Sequence, residues 1–152
     1  MQVSRAVDLD DPDSITSDTA TGMKPSRTSG IVHRLVQIYG EEVLSRKHRR
    51  VQLLGKKCTP RFQETLLGCE LFLGQKRLTC PDVTTAQYLA LFAEVGLESV
   101  GIPYDITRTA SLLPALEQLF TDLKEAVREE DRPLRDVYRQ LRRRIATAEK
   151  TL

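Results

Sequence analysis

Basic side chains are the residues of this chain whose number and spacing best suit a chemical task. The chain has 152 residues, of which 23 are Lys or Arg. One stretch without an acid, Ser45 to Lys57, holds a first basic group of six: Arg46, Lys47, Arg49, Arg50, Lys56 and Lys57. Such cations neutralise phosphates and release counterions. The group is therefore a candidate site for a phosphate or an acidic partner.

A second basic group lies near the C-terminus at helical spacing and consists of Arg135, Arg139, Arg142 and Arg143. Two observations weigh against nucleic acid as the ligand of either group. No aromatic residues interleave with the cations to stack on bases, and the net charge is only +2, with a pI of about 8.5. A solvated basic face is therefore the alternative to a binding surface.

Residues suited to catalysis are scarce. Neither of the two histidines, His33 and His48, neighbours a Ser or Cys in a known nucleophile turn. The glycines do not have the spacing of a phosphate-binding loop. A metal-dependent nuclease would need a second acid and a Lys after Asp82, but no D/E-x-K motif follows before Ile106. We favour a non-enzymatic protein without catalytic residues or a cofactor, and rank last an enzyme whose site would lie around Asp82 and Asp105.

The three cysteines, Cys58, Cys69 and Cys80, are spaced eleven residues apart. Zinc sites usually include a close Cys pair, which is missing, so we predict buried structural cysteines and no metal. An odd count without a secretory signal argues against a disulfide framework. Apolar runs are also far shorter than the roughly 20 residues that span a bilayer. These features predict a cytoplasmic protein without membrane insertion.

A weaker candidate ligand site lies where two predicted strands end. It consists of Asp82, Tyr104, Asp105 and Arg108, with Cys80 and Thr84 beside them. Ligands often bind outside the carboxyl ends of parallel strands, and helix N-termini favour anions. The alternative is that Asp82 and Asp105 only cap helices, which is ordinary for Asp.

The N-terminal half of the chain has weak structural signals. Residues 1–29 are rich in Asp, Ser, Thr and Pro, which predicts a disordered acidic tail before a domain at 30–152. A first helix is predicted to begin with Ser29 as its N-cap and to end or weaken at Gly40. Residues 41–49 and 62–67 are predicted as short helices, and 50–54 as a strand or a last helical turn.

The middle of the chain has stronger signals. Residues 69–80 predict a β-hairpin with a type II′ turn at Gly74-Gln75. The strand at 78–80, a helix between Asp82 and Gly96, and a strand at 98–103 then predict a βαβ unit. The two strands of such a unit are parallel.

Two amphipathic helices end the chain, at about 109–130 and 131–152. Pro114 is expected in the first turn of the former, and Asp131 is expected to cap the latter with Pro133 in its first turn. The last helix carries the second basic group opposite an apolar stripe. These helices are predicted to form a helical hairpin that packs on the sheet or on a second copy.

Together these patterns predict a helix-rich α+β domain around a small mixed sheet, behind a disordered tail. The preferred function is a regulatory or adaptor protein that binds a protein partner through the helical hairpin and the tail. The alternative is a regulatory protein that binds DNA or RNA through the two basic groups. A homo-oligomer formed through the C-terminal helices is a further expectation.

Overall fold

The computed structural model describes residues 26–151; residues 1–25, which form most of the predicted tail, and Leu152 lie outside the described residues. The described part contains four α-helices and five β-strands. In chain order they are α1 (Arg27–Ile38), β1 (His48–Gln52), β2 (Arg61–Thr65), β3 (Gly68–Leu73), β4 (Lys76–Cys80), α2 (Val83–Val95), β5 (Ser99–Pro103), α3 (Ile106–Glu129) and α4 (Leu134–Lys150). The predicted helix-rich α+β class is confirmed.

The first helix begins earlier than its sequence predicts. Ser26 is the N-cap, because its Oγ accepts a hydrogen bond from the Ser29 N–H at 3.0 Å. The prediction that Ser29 caps this helix was therefore wrong, and α1 starts three residues before the expected boundary at residue 30. Gly40 does not end the helix either, since a π-helical turn at Tyr39–Leu44 continues it. The second short helix predicted at 41–49 is therefore only partly present: residues 41–44 belong to this π-helical turn, whereas β1 begins at His48.

The three-stranded sheet has the order β2-β3-β4, and both pairs are antiparallel. The predicted hairpin is confirmed as β3 and β4. Its turn has a positive φ of 62° at Gly74 but not at Gln75, which is the type II′ combination. The short helix predicted at 62–67 was wrong: this segment is β2, because its backbone groups complete the second edge of β3.

The predicted parallel βαβ unit, and with it the mixed sheet, was wrong. β5 does not join β4 but pairs antiparallel with β1 in a separate two-stranded sheet. The other edge of β5 is closed by tyrosine hydroxyls. Gly101 donates its N–H to Tyr39 Oη at 2.8 Å, and its carbonyl accepts from Tyr88 Oη at 2.9 Å. These buried backbone groups are therefore satisfied without β4.

The two C-terminal helices pack inside their own domain. α3 begins after its N-cap Asp105, so Pro114 lies within the helix and not in its first turn. Asp131 does not cap α4 but adopts a φ of 53° in the connecting turn, and Pro133 takes the N-cap position. The buried stripes comprise Leu113, Leu116, Phe120, Leu123, Ala126 and Val127 on α3, and Val137, Tyr138, Leu141 and Ile145 on α4. They are therefore not free for a partner.

The core lies between the four helices, with α1, α2 and α4 all contacting α3, β3 packing on α2 and β5 on α3. Tilted and edge-on contacts of Phe92 with Tyr39, Tyr88 and Phe120 form its aromatic centre. No helix within residues 26–151 is long and apolar enough to span a membrane.

Candidate functional site

The structure brings parts of the two basic groups together around one cavity. The cavity has a volume of about 260 Å³ and lies between the turn after β1 and the N-terminal half of α4. It is lined by Gly55, Lys56, Lys57, Arg135, Tyr138, Arg139 and Arg142. Five of these seven residues are cations, and no acid lines the cavity among the described residues. We name it the basic pocket.

One wall of the basic pocket is the turn at 53–57. The Leu53 N–H donates to the Glu98 carbonyl at 2.7 Å, and the Gly55 N–H donates to the Leu97 carbonyl at 3.1 Å. Lys76 Nζ also donates to the Leu53 carbonyl at 3.1 Å. Gly55 has a φ of 83°, a conformation that suits glycine. Hydrogen bonds to Leu97 and Glu98, between α2 and β5, therefore fix the backbone that precedes the two lysines.

Gly96 sets how closely this turn approaches α2. It ends α2 in the left-handed conformation, with a φ of 97°. A Cβ at this position would lie 2.9 Å from the Lys57 N, 3.2 Å from the Lys56 C and 3.3 Å from Arg142 Nη1. The missing side chain thus lets the Lys56–Lys57 peptide and Arg142 meet over the end of α2.

The opposite wall is one face of α4. Arg135, Tyr138, Arg139 and Arg142 recur at intervals of three and four residues, which places them on one side of the helix. Tyr138 is fully buried and forms the floor. Its hydroxyl donates to Glu94 Oε2 at 2.8 Å. Burial is the main reason that the pKa of Tyr138 lies well above its ordinary value, and the nearby Glu94 carboxylate raises it further.

Arg142 joins α4 directly to the end of α2. Its Nη1 donates to the Val95 carbonyl at 2.8 Å. That carbonyl belongs to the last turn of α2, which carries the partial negative charge of a helix C-terminus. Arg142 therefore offsets a charge that would repel an anion, and it does so while lining the basic pocket.

The cations of the basic pocket are only loosely balanced by acids. Asp136 Oδ1 lies 3.8 Å from both Arg135 Nε and Arg139 Nη1, which is beyond hydrogen-bond distance. The Glu94 carboxylate contacts Tyr138 and also Lys124 Nζ, at 2.8 Å. Lys57 Nζ lies 5.8 Å from the centroid of the Tyr138 ring, in cation–π range. The pocket therefore has an excess of positive charge.

The first basic group is divided by β1. Arg46 and Lys47 precede the strand, where Lys47 Nζ lies 5.6 Å from the centroid of the Tyr104 ring. Lys56 and Lys57 follow the strand, whose five residues span roughly 17 Å. Within the strand, Arg50 Nη2 contacts Ser99 Oγ at 2.7 Å and Glu149 Oε2 at 3.1 Å. Thus Arg46, Lys47, Arg49 and Arg50 do not line the pocket, and neither does Arg143.

The weaker candidate ligand site is not assembled as predicted, since the strands before it belong to different sheets. Asp82 accepts from the Thr85 N–H at 2.7 Å and caps α2. Asp105 accepts from the Thr107 N–H at 3.0 Å and caps α3. The pKa of Asp105 is lowered, mainly by the hydrogen bond from the Thr107 hydroxyl. Arg108 pairs with Glu42 at 2.8 Å, and Tyr104 is exposed.

All three cysteines are free, with Cys69 and Cys80 buried and Cys58 half-buried. Cys69 and Cys80 lie directly opposite each other on β3 and β4, and burial raises the pKa of Cys80 to about 11. A thiol with a raised pKa is a poor nucleophile at neutral pH. In the part of the chain that the structure describes, no three His, Cys, Asp or Glu residues are placed to hold a metal ion.

Two residues that shape the basic pocket were not predicted as part of it. Tyr138 was assigned only to the apolar stripe of the last helix, although it lies three residues after Arg135 and four before Arg142. Gly96 was assigned only to the end of α2. Its contact with the Lys56–Lys57 peptide joins segments 39 residues apart in the chain, and no local pattern signals such a contact.

Comparison of the chain with protein families, with curated proteins and with solved structures found no match.

Proposed function

We propose that this chain is a non-enzymatic regulatory protein that binds nucleic acid, with the basic pocket gripping the phosphate backbone. The observation that supports this is the convergence of Lys56 and Lys57 with Arg135, Arg139 and Arg142 around one cavity. Cations from two distant segments of the chain line the same cavity. This arrangement suits a polyanion with closely spaced phosphates better than two separate solvated basic faces would.

The chemistry of the pocket favours phosphate over carboxylate. Arg presents a planar fork of donors that binds phosphate oxygens in pairs, and three Arg line this cavity. A single carboxylate has two oxygens and is satisfied by one such fork. Five cations therefore exceed what one acidic side chain needs, whereas a polynucleotide supplies a charge at every phosphate.

The protein-partner function was predicted to use the helical hairpin and the N-terminal tail, most of which lies outside the described residues. The apolar stripes of α3 and α4 are buried in the core, so the helical hairpin offers no free apolar face for an adaptor contact. The basic pocket also lacks an accessible aromatic ring, because Tyr138 is buried. We therefore propose contacts to phosphates without base stacking, and hence little sequence preference.

The test is fluorescence anisotropy of the full chain with labelled duplex DNA and single-stranded RNA of equal length, titrated at several salt concentrations. Binding is expected to weaken steeply with salt. The triple variant Lys56→Gln, Lys57→Gln, Arg139→Gln removes three exposed cations of the pocket. The slope of log K against log salt should then fall by about 3, with a loss on the order of 100-fold near 0.1 M salt.

A matched control separates the pocket from net charge. The triple variant Arg46→Gln, Lys47→Gln, Arg49→Gln removes three exposed cations from the other end of β1 and lowers the net charge equally. It should change the affinity by less than about 5-fold, because residues outside the pocket act only at long range. Equal losses for the two variants would refute the pocket as the grip, and no binding at low salt would refute the function.

A further inference from the structure

The tip of the β2–β3 hairpin exposes apolar side chains. Leu66 and Leu67 are 104% and 91% exposed, and Phe62 on β2 is 44% exposed. Every residue of β2 is exposed, although the neighbouring β3 buries Cys69, Leu71 and Leu73. It is unusual for a strand of a folded domain to have no buried residue and to lie next to two exposed leucines. Such a surface is typical of a strand that binds another polypeptide.

Within residues 26–151, no strand pairs with the outer edge of β2, because the sheet order β2-β3-β4 places this strand outermost. Thr65 and Gly68 flank the two-residue turn and face each other, so they form a hydrogen-bonded pair. Hydrogen-bonded and non-hydrogen-bonded pairs alternate along the ladder. The N–H and C=O groups of Gln63 and Arg61 therefore point towards β3, and those of Phe62 and Glu64 point outward.

We propose that the outer edge of β2 binds β2 of a second copy of this chain, antiparallel, to form a homodimer with a continuous six-stranded sheet. The outward groups of Phe62 and Glu64 dictate the register. When Phe62 faces Glu64 of the second copy, the N–H and C=O of both residues pair, which gives four hydrogen bonds across the two-fold axis. Gln63 then faces Gln63 of the second copy on the axis.

Charge and proline disfavour the neighbouring registers. A shift that brings Glu64 opposite Glu64 of the second copy would face two carboxylates, which repel. A shift the other way brings Glu64 opposite Pro60, which lacks an N–H and leaves a carbonyl unpaired. In the proposed register Arg61 faces Thr65, so no like charges are directly opposed. The strand is thus best paired with itself when Phe62 faces Glu64 of the second copy, which favours a second copy as the partner.

The same register brings two of the exposed apolar side chains, Phe62 and Leu66, next to apolar residues of the second copy. Leu66 comes opposite Pro60 of the second copy, so a fully exposed leucine gains an apolar neighbour at each end of the paired strands. The two Phe62 rings approach each other diagonally on the face where Leu71 is buried. Two five-residue strands form a small interface, so the dimer should dissociate on dilution.

Sedimentation velocity of the full chain over a range of concentrations tests the dimer. The mass should rise with concentration from 17.2 kDa towards twice that value. Glu64→Pro removes one outward N–H without breaking a bond to β3, so it should abolish the dimer and leave the fold intact by circular dichroism. Glu64→Thr removes the same carboxylate but keeps the N–H, so it should still dimerise.

Cysteine cross-linking tests the register. In Gln63→Cys the two introduced thiols face each other across the axis, where a Cα–Cα distance of roughly 4.5 Å allows a disulfide. A thiol oxidant such as diamide should therefore cross-link this variant. In Arg61→Cys the thiols are offset by four residues, roughly 13 Å along the strands, and should not cross-link. The unsubstituted chain controls for Cys58.

Three results would overturn the proposal. They are a monomer at every concentration, a dimer that survives Glu64→Pro, and cross-linking that is equal in the two cysteine variants. If the chain is a monomer, a strand of a different protein becomes the candidate to pair with the edge of β2.

Discussion

Replacing Gly96 with Ala should damage both the stability of the fold and the basic pocket. Gly96 combines two constraints that act on the same missing side chain. Its φ of 97° is unfavourable for any residue with a Cβ, and the Cβ would lie 2.9 Å from the Lys57 backbone nitrogen. Since that atom belongs to the backbone, the clash is relieved only if the turn at 53–57 or α2 moves.

The size of the effect follows from these two constraints. A left-handed conformation costs a non-glycine residue about 1 to 2 kcal/mol. Forcing an extra methyl group into a packed site adds about 1 to 3 kcal/mol. The free energy of unfolding of Gly96→Ala should therefore fall by roughly 2 to 5 kcal/mol. The shifted Lys56–Lys57 peptide should also weaken nucleic-acid binding under conditions where the variant remains folded.

Gly55→Ala is the matched control. Gly55 also has a positive φ, of 83°, but a Cβ there would meet the side chain and Cα of Glu98 at 3.7 to 3.9 Å, an ordinary contact. This variant should lose only the conformational part, about 1 to 2 kcal/mol. Urea unfolding followed by far-UV circular dichroism measures both values. The reasoning would be refuted if Gly96→Ala lost no more stability than Gly55→Ala.

Two further predictions concern buried hydrogen bonds. Tyr39→Phe should lower the free energy of unfolding by about 1 to 3 kcal/mol, because the buried Gly101 N–H loses its acceptor. Tyr88→Phe leaves only the Gly101 carbonyl without its donor, so its free energy of unfolding should fall by less in the same urea titration. Glu130 accepts from the N–H groups of Arg27 at 2.9 Å and Thr28 at 3.3 Å, at the start of α1. Burial acts to raise the pKa of Glu130, but the Thr28 side chain and the N–H groups of Thr28 and Arg27 outweigh it and lower the pKa below 4.5. The stabilisation from Glu130 is therefore present above pH 4.5 and is lost as the pH falls through the lowered value. Glu130→Gln should therefore be less stable than the unsubstituted chain at pH 7, and the difference should shrink below pH 4.5; a difference that is constant down to pH 3 would contradict this.

The elements with local signals were predicted well. α2 lies between the Asp82 cap and the left-handed Gly96, and the β3–β4 turn at Gly74 is the type II′ turn expected of glycine at that position. Caps and turns depend on residues within a few positions of each other, so a sequence displays them. The short strand β2 was misread as a helix because its pairing with β3 lies outside its own residues.

The partner of β5 could not be read from the sequence. A strand, a helix and a strand with short links predict a parallel pair, but the outer edge of β5 is occupied by the hydroxyls of Tyr39 and Tyr88. Tyr39 lies 62 residues before Gly101 in the chain. Such a contact depends on how α1 packs against the rest of the core, and this packing has no local signature.

For the basic pocket, the sequence by itself determined the charge: it placed two groups of cations in the chain, with a phosphate, an acidic partner or only solvent as their possible neighbours. Only the tertiary structure decided which cations act together. It split the stretch from Ser45 to Lys57 at β1 and joined Lys56 and Lys57 to Arg135, Arg139 and Arg142. The physical reason is that residue types carry charge, whereas convergence depends on the close packing of a turn, a helix end and Gly96 from three separate segments.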